Sequence, residues 1–590
     1  MAPKEPKEPM RLLVAVDFGT TFSGVAYLQT LNHQRQTVIQ DWGEAGGEGE
    51  KVPTILKYDP GQFSPPRFGF NIDDDEDGKI EWFKLGLYPN VEETSLAKKY
   101  PIKTPKMSDS ECQRHVVNYL TALREHTDTY FKDRFSEAFW RNTPREYIIT
   151  VPAIWQDKSK DTTLVCAEKA GMGARNNIQI VAEPEAAGIY ALQSMENMNL
   201  KVNDTFVICD AGGGTIDLVS YTVNSLKPIP VIGEVVVGSG ALCGGTFLDR
   251  IFADYLTKKF HDYGPWDDEY QAAALKTFEK DIKRKFAGDT NRTYTIRVRR
   301  LPDNSALGIR SGFLEIPGKD IKKVFEPVVK EIVKRVKSQI QATVNTGKSV
   351  KAVLLAGGFG RNEYLRSRLR DELGDGVDVR KVENSNTSIV RGALIYGLAK
   401  KVPRLATFLV DTNIARRNYG ELRQIPTPDY PVILVLGTSG RISGTRCWLP
   451  LTNKYDPRKT TTTKDDVTGE TRVDGAPVKE SSPPEHFTFC VDQPVDEGPL
   501  QPANLDIYVC EDKENIGSPD YPGHRASVSM KLRADFSHIP TVRLNKVRGT
   551  DMRLYYKEYF IVEMTLRSAS LHFALIHDGV RYETIQVEFL

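Results

Sequence analysis

Two aspartates at the ends of apolar runs carry the chemistry that the sequence suggests first. Asp210 follows four apolar residues at 206–209 and precedes three glycines, Thr215 and a second acid, Asp217. Glycines have no Cβ, so their backbone N–H groups can approach an anion closely, and Thr215 adds a hydroxyl donor. Asp210 would repel a phosphate unless a divalent cation lay between them. The run indicates a site for metal-bound phosphate; its alternative is a glycine hairpin with capping acids.

A second copy of this arrangement lies near the start of the chain. An apolar run at residues 12–16 ends at Asp17 and continues into Gly19, Thr20 and Thr21. The two aspartates are 193 positions apart (210 minus 17). Two similar halves that face one another would hold one phosphate chain from both sides. The repeat predicts a duplicated α/β domain of two lobes and makes a chance second hairpin the weaker explanation.

Composition excludes several other classes of protein. The 590 residues are 40% hydrophobic and 27% charged, which is typical of a globular chain of about two to four domains. Lys and Arg total 79 against 78 Asp and Glu, so no basic excess favours nucleic acid or membrane as a partner. No apolar run reaches the roughly 18 residues of a membrane span. Residues 1–10 predict a charged, disordered tail, and seven scattered cysteines favour reduced thiols and a cytoplasmic location.

Strands and helices alternate around the two turns. The sequence predicts strands that end at Pro152 and at Val181, each followed by a helix, and a buried strand at 352–356 that enters another glycine turn. This alternation favours α/β layers that bind ligands at strand ends. An amphipathic helix is predicted over residues 320–344, with Pro327 expected to kink it or to mark its effective start.

The pattern changes at about residue 405. Runs of alternating polarity at 487–491, 505–509, 526–532 and 559–567 predict antiparallel strands with one buried face. Residues 458–484 are rich in Thr, Lys, Asp, Ser and Pro, which predicts a flexible insertion. The C-terminal part is therefore expected to be a smaller, mostly β domain.

Six motifs, in order, resemble the ATPase signatures of the seventy-kilodalton heat-shock chaperone (DnaK-like) family. They lie at residues 17–21, 151–153, 183–184, 210–217, 244–249 and 357–361. Six ordered motifs argue against coincidence, and the chain is most similar to divergent, fungal-type members. The resemblance implies an actin-like ATPase domain of two lobes at 11–404, with the nucleotide between them. Residues 405–590 resemble the family's peptide-binding β domain, without the length for its helical lid.

The resemblance implies a role for each residue of the catalytic set. Asp17 and Asp210 would hold magnesium, largely through water, beside the phosphates of ATP or ADP. Glu183 matches the family's glutamate near the attacking water; the alternative is an acid at a helix start. Lys84 matches the lysine near the γ-phosphate; the alternative is a surface lysine. Phosphoryl transfer needs charge neutralisation and an aligned water, which such a set supplies. The predicted catalytic residues are Asp17, Lys84, Glu183, Asp210 and Thr215.

Further positions match the family's nucleotide contacts. Lys283 and Arg284 match a Lys-Arg helix pair whose arginine stacks on the base, and Glu279 lies one position from the ribose-contacting glutamate. The predicted nucleotide-binding residues are Gly19, Thr20, Thr21, Phe22, Gly212, Gly213, Gly214, Gly244, Gly245, Glu279, Lys283, Arg284, Gly357, Gly358, Arg361 and Asn386.

Three positions depart from the family's pattern on the adenosine side. Phe359 and Gly360 replace a Ser-Thr pair in the second adenosine turn, and Asn386 stands where the family has an aspartate. These substitutions predict an altered affinity for the nucleotide.

The leading hypothesis is a slowly hydrolysing, ATP-binding, heat-shock-like protein whose nucleotide state alters how the β domain meets a protein partner. A protein or peptide client and a co-chaperone or exchange factor are the implied partners. One alternative is a nucleotide-binding scaffold with weak or no turnover. Another is a small-molecule kinase of the same superfold, against which the β-rich tail and the Gly244-Gly245 motif argue. A Rossmann dehydrogenase is excluded because Asp217 occupies the third glycine position.

Overall fold

The computed structural model contains two compact units, Met1–Val410 and Asp411–Leu590. The predicted tail at residues 1–10 and the predicted insertion at 458–484 lie largely outside the described residues. The described residues are 10–43, 49–59, 66–73, 76–88, 94–101, 107–194, 199–414, 418–425, 435–436, 445–450, 462–464, 471–473, 477–479, 484–510, 526–549, 551–566 and 570–589.

The strands of the first unit form two larger and two smaller sheets among the described residues. In chain order they are β1 (Leu12–Asp17), β2 (Phe22–Gln29), β3 (Thr37–Val38), β4 (Val52–Pro53), β5 (Ile55–Lys57), β6 (Arg67–Phe68), β7 (Ile80–Glu81), β8 (Arg145–Val151), β9 (Gln179–Ala182), β10 (Thr205–Ala211), β11 (Ile216–Ser225), β12 (Val231–Ala241), β13 (Thr293–Arg297), β14 (Ile309–Arg310), β15 (Phe313–Pro317), β16 (Val350–Ala356) and β17 (Asp378–Lys381), and β18 (Leu409–Ile414) crosses the unit boundary.

Helices separate most of these strands. They are α1 (Ser95–Lys99), α2 (Asp109–Arg134), α3 (Glu137–Asn142), α4 (Asp157–Lys169), α5 (Glu183–Ser194), α6 (Thr246–Lys259), α7 (Asp268–Thr277), α8 (Lys283–Lys285), α9 (Gly318–Asn345), α10 (Gly357–Gly360), α11 (Glu363–Leu373) and α12 (Ser388–Lys401). A π-helical turn joins α7 to α8 at Phe278–Ile282. Short 3₁₀ turns lie at Thr30–Asn32, Gly69–Asn71, Phe83–Leu87, Arg175–Asn177, Gly374–Gly376 and Pro403–Leu405. Within the described part of the chain, every helix is too short or too polar to cross a membrane.

The two larger sheets share one pattern of pairing. In the first sheet, ordered β3-β2-β1-β8-β9, β1 is antiparallel to β2 and parallel to β8. In the second, β10 is antiparallel to β11 and parallel to β16, in the order β17-β16-β10-β11-β12. Asp17 is the last residue of β1, and Asp210 is the penultimate residue of β10. Both aspartates therefore stand at the carboxyl end of a fully buried strand.

Helices α5 and α12 pack against each other and against the two larger sheets. α12 contacts β1 and β8, whereas α5 contacts β10 and β11. Small side chains at the helix contact, including Ala186 and Ala393, are fully buried in one apolar cluster with Leu13 and Ile208. This packing places Glu183, the first residue of α5, close to the ends of the strands.

Helix α9 covers the second sheet with a continuous apolar stripe. Ile321, Val328 and Ile332 are fully buried at helical spacing, as the amphipathic pattern predicts. Pro327 lies inside the helix, which begins at Gly318. Of the two expectations for Pro327, a kink or the effective start of the helix, the second is therefore wrong. A proline removes one backbone hydrogen bond, and the burial of this stripe on both sides of it offsets that cost.

The second unit is built from strands. They are β19 (Asn418–Ile425), β20 (Val435–Leu436), β21 (Thr445–Pro450), β22 (Thr462–Lys464), β23 (Thr471–Val473), β24 (Pro477–Lys479), β25 (Glu485–Pro494), β26 (Ala503–Cys510), β27 (Ala526–Ala534), β28 (Lys546–Arg548), β29 (Leu554–Leu566), β30 (Leu571–His577), β31 (Val580–Tyr582) and β32 (Ile585–Phe589). Short 3₁₀ turns lie at Val495–Glu497 and Thr541–Arg543, and no α-helix occurs among the described residues of this unit.

Two sheets of the second unit enclose one apolar core. One has the order β21-β19-β26-β27-β32, and the other has the order β20-β25-β29-β30-β31 with β28 on β29. Phe489 and Phe560 from one sheet and Ile507 and Met530 from the other are almost fully buried in the same cluster. The strands predicted from alternating polarity lie mainly within β25, β26, β27 and β29.

Candidate nucleotide site

Four buried carboxylates meet where the two larger sheets end. They are Asp17 (2% exposed), Glu183 (7%), Asp210 (4%) and Asp217 (1%). Asp217 stands directly opposite Asp210 in the β10–β11 ladder. Asp17 and Glu183 come from β1 and α5, and both lie close enough to Asp210 to act on its charge. The structure thus brings together the acids of both predicted turns.

Lys84 is buried at the same place. Its ammonium Nζ donates to Glu183 Oε1 at 2.6 Å and lies 5.4 Å from the ring centroid of Phe18. A second ring, that of Trp155, lies 5.3 Å from the same nitrogen. With 1% of its surface exposed, Lys84 is not a surface lysine. A cation between two aromatic rings and a carboxylate is held in one place.

Negative charge is in excess in this cluster. Burial, and then the charge of Glu183, raise the pKa of Asp210 well above its ordinary value. The same two causes raise the pKa of Asp217 to about 7, although the Ala153 N–H donates to Asp217 Oδ1 at 3.1 Å. Burial also raises the pKa of Glu183 against the opposing charge of Lys84. The arrangement favours the arrival of further positive charge.

Asp210 is suited to a bound cation. Its buried Oδ1 has no hydrogen-bond partner within the described part of the chain. Buried polar atoms are normally paired, and an orphaned carboxylate oxygen is an oxygen ligand of the kind that Mg²⁺ prefers. The described residues contain no group of three or more His, Cys, Asp or Glu side chains arranged to hold a metal. A magnesium ion here would consequently depend on water and phosphate oxygens for most of its ligands.

The two glycine turns touch each other. A Cβ placed on Gly213 would lie 2.3 Å from Thr21 Oγ1, so the turn after β10 packs directly on the turn after β1. Gly19, Thr20 and Thr21 form the latter turn, and Phe22, at 39% exposure, begins β2. The prediction that the two turns face one another agrees with this contact.

A third turn locks the Gly212–Thr215 segment in place. Gly244 and Gly245 donate backbone N–H groups to the carbonyls of Gly214 and Gly212 at 3.1 and 3.0 Å. The turn is closed by the Gly212 N–H, which donates to the Thr215 carbonyl at 3.0 Å. A Cβ on Gly244 would lie 2.3 Å from the Gly213 carbonyl oxygen, so only glycine allows this approach. The predicted phosphate turns form one connected structure.

The residues matched to the adenosine side lie around α8, α10 and α11. Lys283 Nζ donates to both carboxylate oxygens of Asp249, at 2.7 and 2.8 Å, and Glu279 Oε1 lies 4.0 Å from it. Asn362, at the N-terminus of α11, donates to the Lys283 carbonyl at 3.0 Å. Arg284 and Arg361 are exposed. Lys283 is therefore held by Asp249, a partner that the sequence analysis did not single out.

The second adenosine turn borders the acid cluster. Ala356 stands beside Asp210 in the parallel ladder, so Gly357 and Gly358 follow at the same edge of the sheet. Phe359 is buried, with its ring centroid 6.4 Å from that of Phe325. The phenylalanine that replaces serine thus extends the apolar core under the turn.

Lys51 is the residue of the site that the sequence analysis missed. Its Nζ donates to Asp17 Oδ2 at 2.7 Å. Burial lowers the pKa of Lys51, but the charge and hydrogen bond of Asp17 outweigh it, so the pKa is raised. The preceding residue, Glu50, accepts a hydrogen bond from Asn386 Nδ2 at 3.2 Å. Lys51 lies before a two-residue strand, and no periodicity or motif distinguishes it in the sequence.

Comparisons with known proteins agree with these features. Residues 117–402 match the protein-family model described as Hsp70 protein. Over 490 residues the chain is 24% identical to heat shock 70 kDa protein 12B of Homo sapiens, covering 67% of this chain and 69% of that protein. It is 23% identical over 488 residues to heat shock 70 kDa protein 12A of Mus musculus, covering 67% and 70%. Chaperone protein DnaK of Mycoplasma mobile is 22% identical over 366 residues, covering 61% and 54%.

Proposed function

Because residues 117–402 carry an Hsp70 domain and the chain is a divergent Hsp70-like protein, we propose that it binds ATP and ADP with magnesium and hydrolyses ATP slowly. The observation that carries this proposal is the contact between the two glycine turns above a cluster of buried acids. One nucleotide held there would contact both turns. Its phosphates would lie beside the backbone N–H groups of Gly213–Thr215.

The two larger sheets are the cores of two similar lobes. This organisation is supported by their common pairing, since each has a hairpin whose first strand also pairs with a parallel neighbour. Each hairpin begins with the strand that carries an acid of the site, Asp17 or Asp210. A nucleotide bound between the lobes would contact the ends of both sheets.

Each residue of the site would have its own role in phosphoryl transfer. Asp17 and Asp210 would hold magnesium, largely through water, and the ion would supply positive charge beside the transferred phosphate. Glu183 would accept a proton from the attacking water, and burial raises its pKa, which strengthens it as a base. Lys84 fixes Glu183 in position and supplies positive charge beside the γ-phosphate. Thr215 adds a hydroxyl donor to the phosphate turn.

The β-rich unit would bind a protein or peptide client, with the nucleotide state setting its affinity. Its two sheets and shared core support a binding module of the family's β type, and its described residues contain no helix that could act as a lid. A co-chaperone or exchange factor would act on the first unit. Four of the cysteines, Cys112, Cys166, Cys209 and Cys243, are buried free thiols, which supports a cytoplasmic location.

A nucleotide-binding scaffold without significant turnover is the second candidate. Phe359 and Asn386 favour it, because one is packed in the core and the other is bonded to Glu50. Both positions differ from the family's pattern on the adenosine side.

Phosphate release from ATP separates the two functions. We expect slow release by the wild-type protein and at least about tenfold less by Glu183→Gln, because loss of a general base typically costs a hundredfold or more. Glu137→Gln, whose side chain is 75% exposed, is the matched control and should release phosphate at the wild-type rate. Release by the wild type no faster than by Glu183→Gln, with ATP bound by both, would favour the scaffold.

A further inference from the structure

The side chain of Lys51 contacts the acid cluster, although Lys51 belongs to neither of the two glycine turns that follow Asp17 and Asp210. It lies immediately before β4, the short strand that pairs with β2 beside the first turn. Its Nζ contacts Asp17 Oδ2 at 2.7 Å, and its side chain is 14% exposed. Asp17 Oδ1 accepts a longer hydrogen bond, at 3.4 Å, from Thr150 Oγ1. Lys51 is therefore the main cationic partner of an acid placed to hold magnesium.

The lysine is held in place by its neighbours. Glu50 accepts the hydrogen bond from Asn386, which precedes α12, and the Gly49 N–H donates to the Gln40 carbonyl at 2.9 Å. The segment therefore contacts Asn386, in the part of the chain matched to the adenosine side, as well as Asp17. A side chain fixed from both directions can meet a ligand in the same place each time.

The charges of the cluster indicate that Lys51 can bind a second partner besides Asp17. Lys84 is committed to Glu183 at 2.6 Å, while Asp210 Oδ1 has no partner in the described part of the chain. A divalent cation arriving at Asp17 and Asp210 would repel the Lys51 ammonium and compete with it for Asp17. The anion that arrives together with that cation is the phosphate chain of the nucleotide, and an ammonium binds phosphate as a point charge.

We propose that Lys51 is a phosphate-binding cation of the nucleotide site, which holds Asp17 before the ligand arrives and exchanges it for a phosphate oxygen when the metal-bound nucleotide enters. The inference rests on the proposed function and assigns a second lysine to the phosphates. With metal removed, Lys51 takes over part of the neutralisation that a divalent cation provides. Lys51 thereby lets ATP bind measurably in the absence of metal.

Calorimetric titration with ATP, in EDTA and in magnesium, tests this assignment on the full chain. The variant is Lys51→Met, and the control is Lys57→Met, whose lysine lies in β5 and pairs with Glu76 outside the cluster. In EDTA we expect Lys51→Met to weaken ATP binding by about ten- to a hundredfold, the usual worth of a charged hydrogen bond. Lys57→Met should bind ATP as the wild type does, and magnesium should reduce the defect of Lys51→Met.

A titration with Mn²⁺ alone supplies an independent readout. Because Lys51 competes for Asp17, Lys51→Met should bind Mn²⁺ more tightly than the wild type in the absence of nucleotide. Should Lys51→Met fail to fold, Lys51→Thr, with a shorter β-compatible side chain, replaces it in both titrations.

The outcomes separate this inference from the proposed function. Equal ATP affinity of the wild type and Lys51→Met in EDTA would show that Lys51 only pairs with Asp17, and would overturn the inference alone. Tighter Mn²⁺ binding with unchanged ATP binding would lead to the same conclusion. A wild-type protein that binds no ATP with or without magnesium would overturn the proposed function together with the inference.

Discussion

At the scale of single residues, Asp17 and Asp210 stand in different surroundings although they occupy the same place in their two turns. Asp17 is bonded to Lys51, whereas Asp210 Oδ1 is buried without a partner in the described residues. Burying an unpaired charge destabilises a fold unless something neutralises it. The two turns are thus chemically unequal, and Asp210 is the position where a cation would add most to stability.

Asp210→Asn is expected to stabilise the protein when metal and nucleotide are absent. The amide keeps the shape of the carboxylate and removes its charge, so the free energy of unfolding in EDTA should rise by about 1–3 kcal/mol. Added magnesium and ATP should then stabilise the variant much less than the wild type. Urea unfolding with and without the ligands measures both effects, and a less stable variant in EDTA would argue against the charge excess.

The Asp249–Lys283 pair provides a pH prediction away from the metal ligands. Burial raises the pKa of Asp249 from 3.8 to about 6, against the opposing charge of Lys283. A raised carboxyl pKa adds stability that is fully present below about pH 4 and is lost as the pH rises through about 6. In the wild type, the free energy of unfolding should therefore fall between about pH 4 and about pH 6, and Asp249→Asn should reduce this fall by about 1 kcal/mol. The expected reduction is modest because the Asp249 side chain is 24% exposed. Urea unfolding at several pH values gives the two slopes, and equal slopes would contradict this pKa.

At the scale of elements, the three glycine turns depend on close backbone approach. The Gly244 turn packs on the carbonyl of Gly213, which cannot move without breaking the bonds at Gly212 and Gly214. The phosphate turn is therefore shaped by a loop that precedes α6. The phosphate turn at Gly212–Thr215 and the loop at Gly244 that shapes it are both distant in sequence from the first turn, at residues 17–21.

Gly244→Ala is expected to destabilise the protein and to weaken nucleotide binding. The added Cβ would lie 2.3 Å from backbone, and such overpacking costs roughly 1–3 kcal/mol. Gly264→Ala is the control, since a Cβ there meets nothing within 4 Å. Thermal unfolding and ATP titration of both variants test the contact. Wild-type behaviour of Gly244→Ala would mean that the turns are not interlocked.

The elements of the site were largely predictable from the sequence, but the partners of its side chains were not. Buried strands that end in Asp and glycine were recognisable because apolar runs and glycine have strong local signals. Lys51 gave no such signal, and Asp249 closes the motif at residues 244–249 but was given no role of its own. Their importance comes from Asp17 and Lys283, each 34 positions away in the chain. The helix predicted over residues 320–344 is present as α9, but Pro327 does not mark its effective start, because tertiary packing outweighs the local effect of proline.

At the scale of the whole molecule, the chain combines a well-defined site with a β-rich unit of simple architecture. The match of residues 117–402 to the Hsp70 family model agrees with the resemblance carried by six ordered motifs, and the mixed sheets agree with the predicted α/β layers. The two lobes were predicted from the repeat of the Asp-Gly-Thr turn, whereas the client and the coupling between units are properties of long-range assembly, about which local patterns carry little information. The lobes, the client and the coupling can each be tested on the intact chain.

Hydrogen exchange should show that one nucleotide protects both lobes. Adding magnesium and ADP should slow amide exchange in peptides covering residues 17–22 and 210–217 over the same range of ADP concentration, because one ligand contacts both turns. Slower or faster exchange in β25–β29 of the second unit would support coupling to the β domain. Protection of one turn without the other would exclude the shared nucleotide.

The central claim is that metal-bound nucleotide occupies the acid cluster, and calorimetric titration with ATP and magnesium tests it most directly. The wild type and Asp262→Ala, whose side chain is 95% exposed, should bind with equal affinity. Asp210→Asn should bind at least about tenfold more weakly in magnesium, since it removes a charged metal contact. No binding by the wild type at millimolar nucleotide, or equal binding by Asp210→Asn, would contradict the claim.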